Sequence, residues 1–234
     1  SAVRFGTPVA FFSLEMDAPQ LVQRLLCAEA EVDAQKVRTG RLERYEWEQL
    51  TSRIGGLSKA PLYIDDTPAL SIMDLRAKGR RLKAEKNIGM IIIDYLQLMT
   101  GNVKSGGNRE QEIAGISRGL KELAKELSIP IIALSQLSRS VETRGGDKKP
   151  MLSDLRESGS IEQDADMVMF LYRPEYYGLT TYEDGSSTAN VCEVIIAKQR
   201  SGPVGDVKLQ FIKKFAKFAD LDDHNLEQRL AQQG

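Results

Sequence analysis

Short apolar runs rich in β-branched residues punctuate the chain, and they restrict its fold more than any other feature. They are Val9-Ala10-Phe11-Phe12, Leu62-Tyr63-Ile64, Met90-Ile91-Ile92-Ile93, Ile131-Ile132-Ala133-Leu134, Met167-Val168-Met169-Phe170-Leu171 and Val194-Ile195-Ile196-Ala197. Near-continuous apolar character, rather than alternation, fits strands buried on both faces of a parallel sheet. Helical patterns separate the early runs. Over residues 110–127, Ile113, Ile116, Leu120, Leu123 and Leu127 share one face. Gly115 and Gly119 weaken that helix, each by about 1 kcal/mol relative to Ala. Ser71 followed by Asp74 is a capping-box-like start. The helix it opens carries Arg76, Lys78, Arg80, Arg81 and Lys83, a charge run that reads as a solvated face rather than a DNA site. Asp17-Ala18-Pro19 opens another helix, through Leu21, Leu25 and Leu26. Strands alternating with helices predict a three-layer α/β domain. The end of the chain differs: residues 192–198 and 207–212 flank a Ser201-Gly202-Pro203 turn, which predicts an antiparallel hairpin. One domain over residues 1–234 is expected, with mobile loops at 100–108 and 141–150 and a flexible tail at 222–234.

Composition removes several classes of function. At 234 residues and 41% hydrophobic the chain can build a sizeable core. No apolar run approaches the roughly 20 residues of a membrane span, so no membrane partner is expected. The opening residues 1–6 are too short and polar for a signal peptide. Two cysteines, Cys27 and Cys192, lie far apart in apolar stretches. They read as buried inert thiols in a reducing cytoplasm. A net charge of -1 argues against a basic coat on nucleic acid, so any DNA contact must be local. The single histidine, His224, rules out a His-rich metal site and speaks against a Ser-His-Asp triad.

In open α/β sheets ligands bind beyond the carboxyl ends of the strands, so the polar residues there are the candidates. Asp94 follows Met90-Ile91-Ile92-Ile93. A carboxylate held by a rigid buried strand is the Walker-B arrangement of P-loop ATPases, where it serves Mg²⁺; taken alone it also fits a helix or turn cap. Glu15 ends the first run and could activate a water attacking a γ-phosphate, or equally be a surface glutamate ahead of Asp17. Gln136 ends the fourth run and could sense a phosphate by hydrogen bonding. Lys198-Gln199-Arg200 follows the last run, where cations could reach a neighbouring subunit's phosphate or be ordinary hairpin cations. Residues 155–160, with Arg156, Glu157, Gly159 and small hydroxyls, could hold a strand phosphate or form a plain turn.

The order of these residues and their exact surroundings resemble one family. Phe11-Phe12-Ser13-Leu14-Glu15-Met16, Ile92-Ile93-Asp94-Tyr95-Leu96-Gln97-Leu98-Met99, Ala133-Leu134-Ser135-Gln136-Leu137-Ser138-Arg139, Ser153-Asp154-Leu155-Arg156-Glu157-Ser158-Gly159-Ser160-Ile161-Glu162-Gln163-Asp164-Ala165-Asp166 and Ala197-Lys198-Gln199-Arg200-Ser201-Gly202-Pro203 resemble the C-terminal domain of DnaB-type replicative DNA helicases. The resemblance covers nearly the whole chain, and the stretch from Ser153 to Asp166 is its most specific part. It implies a RecA-like domain that uses ATP and Mg²⁺. Glu15 would be the catalytic base, Asp94 the Mg²⁺ ligand, and Gln136 the coupler of nucleotide state to DNA-facing loops. Lys198 and Arg200, with Gln199 beside them, would act on a neighbour's ATP. Arg156, Glu157 and Gly159 would follow the single-stranded DNA backbone, a sequence-independent contact compatible with the net charge. A homo-hexamer, a primase and a helicase loader are the implied partners.

That family carries a G-x-x-x-x-G-K-[ST] loop before the Glu15 strand, whereas here Ser1 stands only a few residues before Val9. A fragment of a longer protein is the expectation, and by itself it should neither bind ATP tightly nor unwind DNA. Rival readings are a RecA- or RadA-like recombinase, disfavoured by residues 153–166, and a non-enzymatic DNA-binding module.

Overall fold

The computed structural model describes residues 1–101 and 108–221, apart from the side chains of residues 156–158. The elements in chain order are α1 (Ala2–Phe5), β1 (Val9–Ser13), α2 (Ala18–Ala30), α3 (Ala34–Thr39), α4 (Arg44–Lys59), β2 (Leu62–Asp65), α5 (Ile72–Lys86), β3 (Met90–Asp94), α6 (Arg109–Leu127), β4 (Ile131–Ala133), α7 (Ser140–Thr143), α8 (Gly159–Asp164), β5 (Met167–Tyr172), β6 (Val191–Gln199), β7 (Gly205–Ile212) and β8 (Lys217–Asp220). Contacts divide the chain into two compact units. One comprises residues 1–138 and 153–165, the other residues 139–152 and 166 onward.

The first unit holds a parallel sheet of order β2-β1-β3-β4. Ala10 and Phe12 of β1 and Ile91 and Ile93 of β3 are buried in one core with Leu75 of α5 and Ile113, Ile116, Leu120, Leu123 and Leu127 of α6. The α6 face is thus the one its periodicity predicts. Each buried aliphatic side chain contributes roughly 1.5–3 kcal/mol, so together they outweigh two glycines at about 1 kcal/mol each. On β3 the buried residues alternate with half-buried Met90 and Ile92, so only one face of that strand is fully covered.

Three helix starts follow from local chemistry. The Asp17 carboxylate accepts from Gln20 N–H at 2.8 Å, the Ser71 hydroxyl from Asp74 N–H at 3.1 Å and the Asn108 side chain from Glu110 N–H at 3.2 Å. Each satisfies an amide with no partner inside its helix. The charge run on α5 differs from the solvated face expected of it. Arg76 donates to Glu122 at 2.8 Å, Arg80 pairs with Glu126, Lys78 donates to Asp65 at 2.6 Å and Lys83 to the Ile88 carbonyl at 3.0 Å. These cations join α5 to its neighbours because α6 and β2 present carboxylates opposite them.

The second unit holds an antiparallel sheet of order β5-β6-β7-β8. The β6–β7 hairpin is the predicted one. The fifth apolar run is not the doubly buried parallel strand expected. On β5, Val168, Phe170 and Tyr172 are buried while Met167, Met169 and Leu171 are exposed, as an antiparallel sheet with one open face allows. Strand β8 carries no apolar run and was not foreseen. Residues 141–150 are not a free loop: α7 opens the segment, Val141 is buried, and Arg144 donates to the Lys149 carbonyl at 3.2 Å. Residues 102–107 of the other expected loop, the 222–234 tail and His224 lie outside the described residues. Cys27 and Cys192 are free and buried, and burial raises both thiols above their ordinary range.

Candidate active site

Parallel pairing brings the predicted carboxylates together. Ser13 at the end of β1 is in register with Asp94 at the end of β3, and Leu14 N–H donates to the Asp94 carbonyl at 2.7 Å. The buried Ser13 hydroxyl donates to the Met16 carbonyl at 2.7 Å. That bond shapes the turn that carries exposed Glu15 from β1 into α2. Glu15 and Asp94 therefore stand at the carboxyl ends of adjacent strands. Among the described residues neither carboxylate is engaged by a cation within ion-pair distance. Burial raises the Asp94 carboxyl above its ordinary value, the Glu15 charge adds to the rise, and the Arg24 charge on α2 opposes it.

Asp65, at the end of β2, makes the useful contrast. Burial pushes its carboxyl up, yet bonds from the Lys78 ammonium and from Thr67 outweigh that and hold it below its ordinary value. Asp65 is already neutralised within the fold; Asp94 is not. A half-buried carboxylate repelled by a like charge is the kind of group that a divalent cation stabilises.

Gln136 lies just beyond β4 and is exposed. Its N–H donates to the Gln97 side-chain oxygen at 3.2 Å. The Gln97 amide in turn donates to the Ser135 hydroxyl at 2.9 Å and to the Gln136 carbonyl at 3.2 Å. Gln97 is a residue to which the sequence alone attached no role. The chain leaving β3 is laced to the first turn of α6. The Arg109 guanidinium reaches the Gln97 carbonyl, and Glu112 accepts from Gly101 N–H at 2.7 Å. Arg24 was missed too, since a lone arginine in a helix gives no signal of the strand end it faces.

The remaining candidates are placed less completely. Lys198 and Gln199 are half-buried at the end of β6, opposite Val168 and Met167 of β5. Arg200 follows them, its N–H donating to the Asp166 carbonyl at 2.9 Å and its guanidinium 3.7 Å from the Asp166 carboxylate. Gly202 allows the turn to close on Gln199, whose amide occupies the space that a Cβ would need. Residues 152–158 form two short 3₁₀ turns with a kink at Leu155 and run into α8. The side chains of Arg156 and Glu157 lie outside the described residues. Gly159 is exposed with open space around it.

Among the described residues no group of three or more His, Cys, Asp or Glu side chains is arranged to hold a metal ion. Mg²⁺ bound with a nucleotide needs none, because it takes one or two carboxylates and completes its shell with phosphate oxygens and water. Asp94 fits that requirement, with Glu15 beside it.

A parallel sheet whose adjacent central strands end in carboxylates, with a side-chain amide beyond a third strand, is the architecture of a nucleotide-driven ATPase domain. The model of the DnaB-like helicase C-terminal domain matches residues 1–220. The chain belongs to that family. Replicative DNA helicase DnaB of Geobacillus stearothermophilus is 58% identical over 221 residues, which are 94% of this chain and 47% of that protein. Replicative DNA helicase DnaC of Bacillus subtilis (strain 168) is 55% identical over 94% of this chain and 47% of its own length. The chain thus spans about half the length of the curated relatives it matches. The solved structure of a DnaB-like replicative helicase, described with its interactions with primase, superposes with a TM-score of 0.84 at 43% identity, covering 93% of this chain and 51% of that one. The ATPase domain of G40P gives the same TM-score and identity over 93% of this chain and 75% of its own. The fold is accordingly the RecA-like fold of these ATPase domains.

Proposed function

We propose that this chain is the motor domain of an ATP-dependent replicative DNA helicase, which moves along single-stranded DNA and separates the duplex at a replication fork. The observation that carries the proposal is the juxtaposition of Asp94 and Glu15 at adjacent strand ends, with the Asp94 carboxyl raised in pKa by burial and by the Glu15 charge. Asp94 holds Mg²⁺, which supplies counter-charge for the phosphates of ATP. Glu15, more exposed and nearer water, takes the proton from the attacking water. Gln136 reads the phosphate, and Gln97 ties its backbone to the chain leaving Asp94.

In the same reading Lys198 and Arg200, with Gln199 beside them, act on the ATP of the next subunit in a homo-hexamer. Arg156, Glu157 and Gly159 follow the DNA backbone. The longer protein works in the cytoplasm with a primase and a helicase loader; one matching structure was itself described with its interactions with primase. No described helix is long and apolar enough to cross a membrane.

The test is Glu15→Gln in the full-length protein. Nucleotide binding should persist while turnover falls by roughly 10²–10⁴-fold, the usual contribution of a positioned acid–base group. Steady-state hydrolysis close to that of the unaltered protein would remove Glu15 from the role.

A further inference from the structure

Just beyond Asp94, residues Leu96–Leu98 form a single 3₁₀ turn. Leu98 N–H donates to the Tyr95 carbonyl and Met99 N–H to the Leu96 carbonyl, both at 3.0 Å. So short a helix cannot satisfy its own last carbonyls. Arg109, the first residue of α6, reaches them. Its guanidinium donates to the Gln97 carbonyl and, at 3.4 Å, to the Met99 carbonyl.

The guanidinium is itself held. It pairs with one oxygen of Glu112, and the other oxygen of that carboxylate accepts from Gly101 N–H at 2.7 Å. The Gly101 bond lowers the Glu112 carboxyl below its ordinary value, burial opposes this, and Arg109 adds to the lowering. Gly101 lets the carboxylate in, because a Cβ there would lie 2.5 Å from Glu112 Cγ. An arginine suits the position: its N–H donors form a rigid planar fork that can serve a carboxylate and a carbonyl together. Other contacts keep the turn in place. Leu96 and Met99 are buried, and Thr100 N–H donates to the Leu70 carbonyl at 3.1 Å. None of them holds the Gln97 carbonyl. Loss of exposed Arg109 therefore leaves the turn folded and frees Gln97 to swivel.

Gln97 passes the constraint on. Its side-chain amide donates to the Ser135 hydroxyl and the Gln136 carbonyl, and its oxygen accepts from Gln136 N–H. An amide engaged through both its nitrogen and its oxygen has one orientation relative to Gln136. The main chain of Gln97 then decides where Gln136 stands.

We infer that Arg109 is a positioning residue for Gln136, acting through Gln97 with Glu112 as its anchor. This rests on the function proposed above, in which Gln136 reads the phosphate. The test is steady-state ATP hydrolysis by the full-length protein in Arg109→Met, Gln97→Ala, their double variant and Gln136→Ala. Arg109→Met should lower kcat roughly 2- to 30-fold, the range over which mutations in a coupling network act. KM for ATP should change little, because the groups proposed to hold the nucleotide are untouched. Gln97→Ala should cost about as much. The double variant should lose no more than the worse single one, since both remove the same path.

Gly101→Ala, which displaces the Glu112 carboxylate and leaves Arg109 itself unaltered, should also lower kcat, and it serves if Arg109→Met does not assemble. Unchanged kcat in Arg109→Met, or in Gly101→Ala when that variant stands in for it, overturns the inference. So does a change confined to KM, or losses that multiply in the double variant. Unimpaired turnover in Gln136→Ala removes Gln136 from the proposed function and the inference with it. Impaired turnover in Gln136→Ala with normal turnover in Arg109→Met removes the inference alone.

Discussion

Two glycines on α6 offer a test in which one substitution should have opposite effects four residues apart. Gly115 is exposed, and a Cβ built there meets nothing within 4 Å. Gly119 is buried, and its Cβ would lie 2.6 Å from Ile72 Cγ1 and 3.1 Å from Ile72 Cδ1. Replacing either glycine with alanine restores about 1 kcal/mol of helix propensity. At Gly119 the new methyl also forces Ile72 to move, and overpacking of this kind costs typically about 1–3 kcal/mol. Cγ1 is not the tip of a flexible chain, and Ile72 opens α5 immediately after its Ser71 cap, so the side chain has little room to yield. Gly115→Ala should therefore stabilise the fold by about 1 kcal/mol, and Gly119→Ala should destabilise it by up to about 2 kcal/mol. In urea unfolding followed by circular dichroism, a gain of 1 kcal/mol moves the midpoint up by about 0.3–0.5 M, for a slope of roughly 2–3 kcal/mol/M. In an Ile72→Ala background the penalty at Gly119 should vanish, since the clashing atoms are gone. Equal stabilisation by both alanines, or a penalty at Gly119 that survives Ile72→Ala, would refute the packing explanation.

Asp65 and Asp94 should respond oppositely to neutralisation. Asp65 is lowered by Lys78 and Thr67, so its charge stabilises the fold above the ordinary carboxylate value and that stabilisation is lost as pH falls through its depressed folded value. Asp94 is raised, so its charge costs stability, and the cost disappears as pH falls through its folded value towards the ordinary 3.8. At pH 7 Asp65→Asn should lower the urea midpoint and Asp94→Asn raise it, with both differences shrinking in acid; the same sign for the two would contradict the assignment. For Arg200, mixing full-length Arg200→Ala subunits with Glu15→Gln subunits should recover part of the ATPase activity, because some interfaces then pair two intact halves. No recovery at any ratio, with rings formed, excludes action across subunits.

The positions of Glu15, Asp94 and Gln136 could be read from the sequence because strand ends are marked by a change from apolar to polar, and parallel pairing then aligns those ends without further information. The inward face of α6 was equally legible from its spacing. The partners of the α5 cations were not, because Glu122 and Glu126 lie 46 residues from Arg76 and Arg80, and only the helix packing brings them together. On β5 the residues Met167, Met169 and Leu171 are as apolar as Val168, Phe170 and Tyr172. Hydropathy alone could not reveal that this strand pairs antiparallel with one face open. Helices α3 and α4 are rich in polar residues and strand β8 is only four residues long, so all three give weak patterns; α4 shows its start only through the capping box of Glu43 and Glu46.

The Gln97 side chain has a consequence for how this site opens. Ligand sites tend to lie where a fold is locally least stable, and strand ends fray first. Here a single amide lies past the last rung of the β3–β4 ladder and grips the Gln136 backbone by both its N–H and its carbonyl. Because Gln97 is only three residues beyond Asp94, neither strand end can peel away without stripping the other of its partner. Opening fluctuations on the two sides of the site are therefore shared, and the strand ends that carry Asp94 and Gln136 loosen together or not at all.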